Sequence, residues 1–245
     1  MSTKISASLG ARYENSKTLV SAIKKYSDYD PTSGDIQAGT YEQFLETVDD
    51  QMIPYKNAYG ALINTAAENR ATFENMILTA RKVRSEIAEV KGKKSSEYNQ
   101  VNSIVKLITG QNVRDHSIIK IKALKENKKD NEPPQEFNSV SQLDYENRLD
   151  NFKSLTALLR SYSFYDPKDA DIKIAGLEST ENALTRSLEN IAEKENTFTV
   201  ERSRIIHLFE GSGGTADRAR RAKMHVSRKY GHGSPEYKAL VNKKY

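Results

Sequence analysis

Apolar residues recur at helical spacing in both halves of this chain. The positions Leu19, Ala22 and Ile23 return 136 residues later as Leu155, Leu158 and Leu159. Spacings of three and four residues place such side chains on one face of a helix. We therefore predict two related helices, over residues 11–26 and 145–162.

A longer periodic stretch follows each of these two helices. Residues 172–210 contain no proline and have one glycine near their start. Apolar positions form an interrupted stripe across this stretch, namely Ile172, Leu177, Leu184, Leu188, Ile191, Phe198, Ile205 and Phe209. We predict one helix about 58 Å long at 1.5 Å per residue. The matching stretch, 36–90, carries Pro54 and Gly60, so we expect a kink or a break there.

The segments between the helices repeat as well. The run from Tyr26 to Pro31 (YSDYDP) returns as residues 162–167 (YSFYDP), and residues 80–98 return as 219–237 at an offset of 139. Two echoes in the same order indicate a tandem duplication. We predict an all-α protein made of two elongated helical hairpin bundles, residues 1–112 and 144–245. A charged linker over 113–143 joins them, since its composition is too polar to pack.

The repeated segments also predict where helices begin and end. The residue before each repeated proline is pushed out of the helical region, which stops the first helix in each half. Asp35 and Asp171 are suitable N-caps for the long helices that follow. The glycines of 211–214, which the first half lacks, predict a break after which Thr215 caps the next helix. We further expect helices to end at Gly92 and Gly231 and to begin again after Ser95 and Ser234.

Composition excludes several classes of protein. The 245 residues include no cysteine, which excludes disulfides and thiolate metal sites. No run of about 18 apolar residues exists, and the first ten residues lack the apolar centre of a signal peptide. We expect a soluble, cytoplasmic protein that does not enter membranes, although export by a dedicated machine or presence in a virion requires no such signal.

Positive charge is concentrated at one end of the sequence. Residues 216–245 carry a net charge of +7, whereas the whole chain carries +5. A basic end on a slightly acidic body is typical of contact with phosphate or with an acidic partner. The alternative is a solvated face or an ordinary protein interface. The candidate contact residues are Arg218, Arg220, Arg221, Lys223, Arg228 and Lys229.

Two further segments allow more than one interpretation. The glycines of 211–214 precede a predicted helix, where backbone amides can bind phosphate, but the Lys-Ser/Thr ending of a phosphate loop is missing. A flexible helix break is the alternative. The paired tyrosines of the repeated loop, Tyr26, Tyr29, Tyr162 and Tyr165, are candidates for a recognition interface. They could instead pin the turn against the long helix.

The sequence offers no recognisable catalytic set. His225 and His232 have no carboxylate at ligand spacing, and a nucleophile elbow and an HExxH motif are both missing. The acidic residues are spread along helical surfaces. We therefore expect a protein that is not an enzyme and that uses neither a cofactor nor a metal.

The tail from Lys229 to Lys238 (KYGHGSPEYK) and the loop pattern Tyr-x-Pro-x-x-x-Asp-Ile resemble a group of bacterial all-helical proteins built from one or two such units. The resemblance covers both repeats. It implies an all-helical fold, and no activity is assigned to that group.

Two functional hypotheses follow from these patterns. Helices much longer than their neighbours leave apolar stripes uncovered, and such stripes pair with other chains, as in a coiled coil. We therefore favour a non-enzymatic structural or scaffolding protein that self-associates or docks a partner protein through long helical faces. The alternative is a nucleic-acid-associated protein that binds the phosphate backbone through residues 216–245.

Overall fold

A computed structural model describes residues 2–110, 145–241 and 245, and every regular element in these ranges is helical. The helices are α1 (Ser2–Ile23), α2 (Ala38–Lys91), α3 (Ser96–Thr109), α4 (Tyr145–Arg160), α5 (Ile174–Glu210), α6 (Thr215–Tyr230) and α7 (Pro235–Val241). Short 3-10 turns, Gly34–Ile36 and Ala170–Ile172, precede α2 and α5. The predicted all-α class is confirmed. The predicted linker, 113–143, lies outside the described residues.

The long helix predicted over 172–210 is confirmed as α5, which begins two residues later than expected. Of the kink or break predicted near Pro54 and Gly60, the break is wrong, because α2 continues through both residues from Ala38 to Lys91, while the kink stays a prediction. Proline removes one backbone donor from the helix. Met52 and Tyr55, on either side of it, are buried in the core, and this packing holds both flanks of α2 in place. None of the helices in the described ranges has a stretch long and apolar enough to cross a membrane.

Glycine and serine set helix ends where the sequence predicts them. Gly92 and Gly231 follow α2 and α6 with φ of 83° and 89°, values that favour glycine. Ser95 caps α3 by accepting a hydrogen bond from the amide of Tyr98 at 3.1 Å. Ser234 accepts from the amide three residues later, also at 3.1 Å, at the start of α7.

The predicted aspartate caps are wrong. Asp35 and Asp171 lie inside the 3-10 turns, and the long helices begin three residues further on. Asp169 instead caps the second turn, because its carboxylate accepts from the amide of Asp171 at 3.1 Å. The carboxylates of Asp35 and Asp171 face cationic side chains, and these stronger partners take the place of a backbone amide.

Thr215 is not the cap of α6 either. The cap position is Gly214, which has no side chain to accept a hydrogen bond, and Thr215 is the first helical residue. Its hydroxyl donates back to the carbonyl of Leu208 at 3.2 Å. Its own carbonyl accepts from the hydroxyl of Tyr41 at 2.9 Å. Thr215 is fully buried, and these two hydrogen bonds tie the start of α6 to α5 and α2.

The chain forms two compact units whose limits differ from the predicted ranges 1–112 and 144–245. Unit 1 consists of Met1–Leu62 and Lys194–Tyr245, and unit 2 consists of Ile63–Glu193. Helices α2 and α5 each contribute residues to both units. Each unit therefore takes its helices from both halves of the sequence.

The core of unit 1 joins five helices. Its buried residues include Leu19 and Ile23 of α1, Tyr41 and Leu45 of α2, Ile205 and Phe209 of α5, Ala219 and Val226 of α6, and Leu240 of α7. The small alanines of α6 allow this helix to approach its neighbours closely. Burial of this apolar surface is the main favourable contribution to folding.

Four helices supply the core of unit 2 among its described residues. Its buried residues include Phe73 and Val83 of α2, Val101 and Val105 of α3, Phe152 and Leu155 of α4, and Leu177 and Leu184 of α5. Asn69 is also buried, and the oxygen of its side-chain amide accepts from the hydroxyl of Ser187 at 2.7 Å. This polar pair fixes how α2 faces α5 within unit 2.

Candidate functional site

The basic helix α6 presents three distinct faces, because residues three and four apart share a side of a helix. The first face is buried in the core of unit 1 and carries Thr215, Ala219, Ala222 and Val226. The second face contacts the loop and turn of residues 28–36. It carries Arg218, Arg221, His225 and Lys229. The third face lines an open groove and carries Ala216, Arg220, Lys223, Met224, Ser227 and Arg228.

Arg221 holds the turn that precedes α2. Its guanidinium makes a two-pronged contact with the carboxylate of Asp35, with Nη1 2.9 Å from Oδ1 and Nη2 paired with Oδ2. Asp217 accepts from Nε of the same side chain at 2.9 Å. The hydrogen bond from Arg221 lowers the pKa of Asp35 to about 2. The pair is thus a structural clamp between α6 and the turn.

Two more of the predicted contact residues serve the fold in the same way. Arg218 donates to the carbonyl of Gly213 at 2.6 Å and to the carbonyl of Asp35, and its guanidinium lies 4.1 Å from the ring centre of Phe44. Lys229 donates to the carbonyl of Asp28. Three of the six predicted residues, Arg218, Arg221 and Lys229, therefore hold the loop.

The remaining three predicted residues, Arg220, Lys223 and Arg228, line a groove of about 750 Å³ on the opposite side of α6. The other lining residues are Ala216, Met224, Ser227, His232, Tyr237 and Tyr245. The groove therefore combines three cations with three aromatic or imidazole rings.

The cations of the groove differ in exposure. Arg220 and Arg228 are exposed, and Arg220 also donates to Asp217 at 2.6 Å. Lys223 is half-buried, and its ammonium lies 4.1 Å from the ring centre of Tyr245. Burial lowers the pKa of Lys223, because an ammonium away from water is less well solvated. An anion in the groove would restore part of that lost solvation.

The rings of the groove come mainly from the segment after α6. His232 and Tyr237 lie 4.9 Å apart with their planes nearly perpendicular, at 89°. The hydroxyl of Ser227 lies 3.0 Å from Nε2 of His232. Tyr245 donates to the carbonyl of Leu240 at 3.1 Å, and burial raises its pKa to about 12.

A smaller cavity of about 330 Å³ adjoins this groove and shares Met224 and Arg228 with it. His225 lines it and is only 8% exposed. A guanidinium can only donate, so Nδ1 of His225 accepts from Arg228 at 3.3 Å and the proton of the neutral ring is on Nε2. Nε2 has no hydrogen-bond partner among the described residues.

The four tyrosines of the repeated loop are half-buried, and their hydroxyls bond within their own unit. Tyr29 donates to the carbonyl of Ile36 at 2.8 Å, and Tyr165 donates to that of Ile172 at 2.6 Å. The other two tyrosines reach the segments that follow the basic helices, since Tyr26 bonds to the carbonyl of Glu236 and Tyr162 to the side chain of Gln100. These contacts favour the interpretation that the tyrosines pin the turns.

The chemistry of the groove is not repeated at the matching positions of unit 2. At the offset of 139, Arg220 and Lys223 match Arg81 and Arg84, but Arg228 matches Glu89. Met224 and His232 likewise match a serine and a lysine. The clamp is kept in weaker form, because Lys82 contacts Asp171 at 3.1 Å and Asp169 at 3.3 Å in a more exposed setting. The groove is thus a property of the second half of the sequence.

The sequence pattern predicted the cations of the groove. It did not predict that the groove is also lined by Met224, Ser227, His232, Tyr237 and Tyr245. Helical spacing on α6 provides a signal for the first two, since Arg220, Met224, Ser227 and Arg228 lie within one third of its circumference. Tyr245 is distant along the chain, and no local pattern connects it to α6.

The glycine segment 211–214 separates α5 from α6, as the helix-break interpretation predicts. The carbonyl of Gly213 accepts from Arg218. Among the described residues, no three His, Asp or Glu side chains gather where they could hold a metal ion. Comparison with known protein families, curated proteins and solved structures gives no match for this chain.

Proposed function

We propose that this protein is a non-enzymatic, nucleic-acid-associated protein that holds a phosphate backbone in the groove of α6. The observation that carries the proposal is the division of the basic residues. Arg218, Arg221 and Lys229 are used by the fold, while Arg220, Lys223 and Arg228 line one open groove. Arg220 and Arg228 hydrogen-bond to Asp217 and His225 of α6 itself, so both guanidiniums can turn to a ligand without releasing the loop.

The chemistry of the groove favours phosphate over a neutral ligand. The guanidiniums of Arg220 and Arg228 can each form paired hydrogen bonds with phosphate oxygens. Lys223 adds a half-buried ammonium. Ser227 adds a hydroxyl that can donate to a phosphate oxygen on the same surface. Three cations along one side of a helix fit an anion with several phosphates.

The test is a charge reversal at the groove with a matched control. The double variant Arg220→Glu/Arg228→Glu changes the net charge by four, and Arg81→Glu/Lys93→Glu makes the same change in unit 2, at the positions that match Arg220 and His232. We expect the groove variant to weaken binding of a fluorescein-labelled DNA strand at least about tenfold. Each phosphate contact releases counterions, which favours binding, and a lost contact loses this contribution. The control variant should bind within about threefold of the unmodified protein. Fluorescence anisotropy measures both.

Salt dependence supplies a second readout of the same proposal. Three phosphate contacts predict that log K falls with log salt with a slope of about −2 on a single strand. Equal losses in the groove and control variants, or the absence of binding at low salt, would contradict the proposal.

The second candidate is a scaffold that self-associates, and exposed apolar residues of α2 favour it. Within unit 2, Ile63 and Leu78 are 51% and 55% exposed, and the exposed Ala67 and Ala71 lie between them on the same side of α2. An uncovered apolar stripe of this kind can pair with the same stripe of a second copy.

Analytical sedimentation tests this second candidate, because it measures the oligomeric state of the protein at each concentration. We expect the unmodified protein to dimerise as its concentration rises, because burial of the stripe removes apolar surface from water. The variant Ile63→Lys/Leu78→Lys should remain monomeric, while Asn64→Lys/Asn75→Lys, at exposed polar positions of the same helix, should not change the assembly. A monomeric unmodified protein at every concentration would remove the candidate.

We also propose that the chain descends from a tandem duplication. Contacts that match at the offsets of the two sequence echoes support it. Lys24 pairs with Glu42 in unit 1, and Arg160 pairs with Glu178, 136 residues later, in unit 2. The Asp35 clamp and the Asp171 clamp are related in the same way.

A further inference from the structure

We infer that the groove of α6 accepts single-stranded nucleic acid, with an unpaired base stacked on the exposed ring of His232, which Tyr237 supports edge to face. This inference rests on the proposed function and specifies its ligand. The cations that hold the backbone come from α6, while these two rings come from the segment that follows it. Both groups line the same groove, so a strand there would contact them together.

The arrangement of the rings is the first support. His232 is exposed, and its plane stands at 89° to that of Tyr237 at a centroid distance of 4.9 Å. Two perpendicular rings at this distance pack edge to face, and His232, the exposed ring of the two, presents aromatic surface to solvent. A base has a flat face of its own, and base stacking on such rings is tolerant of sequence.

The spacing of the cations is the second support. Arg220 and Arg228 are eight positions apart on α6 with Lys223 between them, which is about 12 Å along the helix axis. A backbone of a few nucleotides covers that length. Cations that follow the backbone beside rings that receive bases are the two parts of a single-strand site.

The apolar lining of the groove distinguishes this ligand from others. Bases in a duplex are stacked on one another and cannot stack on side chains, so rings favour an open strand. An acidic amphipathic helix would require aliphatic pockets for its anchors. Apart from Ala216, the aliphatic side chain in the groove is Met224, which is 64% exposed. A flexible thioether at that position can adapt to the edge of a base.

The experiment compares three fluorescein-labelled probes of roughly 15 nucleotides, within the range of single-strand sites. They are oligothymidylate, a strand of the same length without bases, and a DNA duplex. We expect the full-length protein to bind oligothymidylate at least about fivefold more tightly than the strand without bases. The variants His232→Ala and Tyr237→Leu should each remove most of that preference and leave binding of the base-free strand unchanged.

Matched variants control for effects on the fold. Tyr98→Leu changes the residue of unit 2 that matches Tyr237, and it should leave the preference intact. Tyr237→Phe keeps the ring and should also preserve it. Tyr237 packs against the core of unit 1, whereas His232 is exposed, so His232→Ala tests the inference even if Tyr237→Leu does not fold.

The outcomes separate this inference from the proposed function. If Arg220→Glu/Arg228→Glu abolishes binding of all three probes while the ring variants change nothing, the single-strand inference is overturned and the phosphate groove stands. Equal or tighter binding of the duplex would overturn it as well. If no probe binds at low salt, both proposals fail.

Discussion

At the scale of single residues, His225 is held in its neutral form by its neighbours. Burial lowers its pKa, and the positive charges of Arg228 and Lys229 lower it further, while Asp30 acts weakly in the opposite direction. The edge contact with Tyr29, at a centroid distance of 5.1 Å, keeps the ring in place. A second proton would remove the acceptor that Arg228 uses.

The protein should therefore lose stability as the pH falls below about 6.5, the ordinary pKa of histidine. The folded pKa of His225 is lower than the unfolded one, so between these two values the unfolded chain binds more protons and is favoured. Above pH 6.5 this contribution is fully present. Urea unfolding from pH 8 to pH 5 measures the change. The variant His225→Gln, whose amide can still accept from Arg228, should show a smaller loss over this interval.

His232→Gln is the control for this measurement, because His232 is exposed in the folded protein. It should retain the pH dependence of the unmodified chain. If His225→Gln and the unmodified chain lose stability in parallel, His225 is not the group that titrates.

At the scale of elements, the clamp between α6 and the turn before α2 has a weaker counterpart in unit 2. Asp35 and Arg221 are 33% and 31% exposed and share two hydrogen bonds, whereas Asp171 and Lys82 are 69% and 50% exposed. Exposed pairs contribute little, because water and salt screen them. The two clamps should therefore differ in strength although they occupy matching positions.

The substitution Asp35→Asn should lower the free energy of unfolding by about 1 to 2 kcal/mol, since it removes the two-pronged carboxylate contact of the Arg221 guanidinium. Asp171→Asn is the matched control, and it should cost clearly less, because water screens this exposed pair. Because the folded pKa of Asp35 is about 2, below its ordinary value of 3.8, the contribution is present above pH 3.8 and is lost as the pH falls through about 2. Urea titrations of both variants measure these effects. Equal costs would show that exposure does not decide the strength of the clamp.

Helical periodicity and end signals could be read from the sequence because both are local. The limits of α5 and the glycines after α2 and α6 required only a few neighbouring residues. The continuity of α2 through Pro54 could not be predicted, since it depends on burial of Met52 and Tyr55 in a core built by distant segments. Local rules weigh the lost hydrogen bond but not the packing that offsets it.

The candidate site was predictable only in part for the same reason. The sequence located every cation of the groove, because charge is visible without a structure. It could not separate Arg220 from Arg221, which are adjacent in the chain but lie on different faces of α6. Arg221 is taken up by the fold because it contacts Asp35, which is 186 residues away in the sequence. Long-range pairs of this kind leave no trace in the local pattern.

At the scale of the whole molecule, neither half of the sequence contains a complete core. The core of unit 1 combines Leu19 and Tyr41 with Phe209 and Val226. The core of unit 2 joins residues of α2 and α3 to residues of α4 and α5. Each half of the sequence therefore supplies one side of both cores.

Separate fragments 1–112 and 144–245 should consequently remain largely unfolded alone and become helical when mixed. Each fragment alone would expose apolar residues such as Leu155 or Phe73 that are buried in the intact chain. Circular dichroism measures the gain in helix, and size-exclusion chromatography detects a one-to-one complex. Cooperative unfolding of either fragment alone would instead identify these ranges as independent domains.

The long reach of the contacts in unit 1 also sets an order of events during biosynthesis. Arg12 and Glu210 are 198 residues apart, and Tyr26 and Glu236 are 210 apart, whereas Gln100 and Tyr162 of unit 2 are separated by 62. At roughly 5–20 residues per second, roughly 10–40 s pass between the synthesis of α1 and the synthesis of these partners. The apolar face of α1 is not fully covered during this time. Unit 2 can close during that interval. Helix α1 is thus synthesised well before α6 and α7, which help to bury it, and it is the segment that a chaperone would shield.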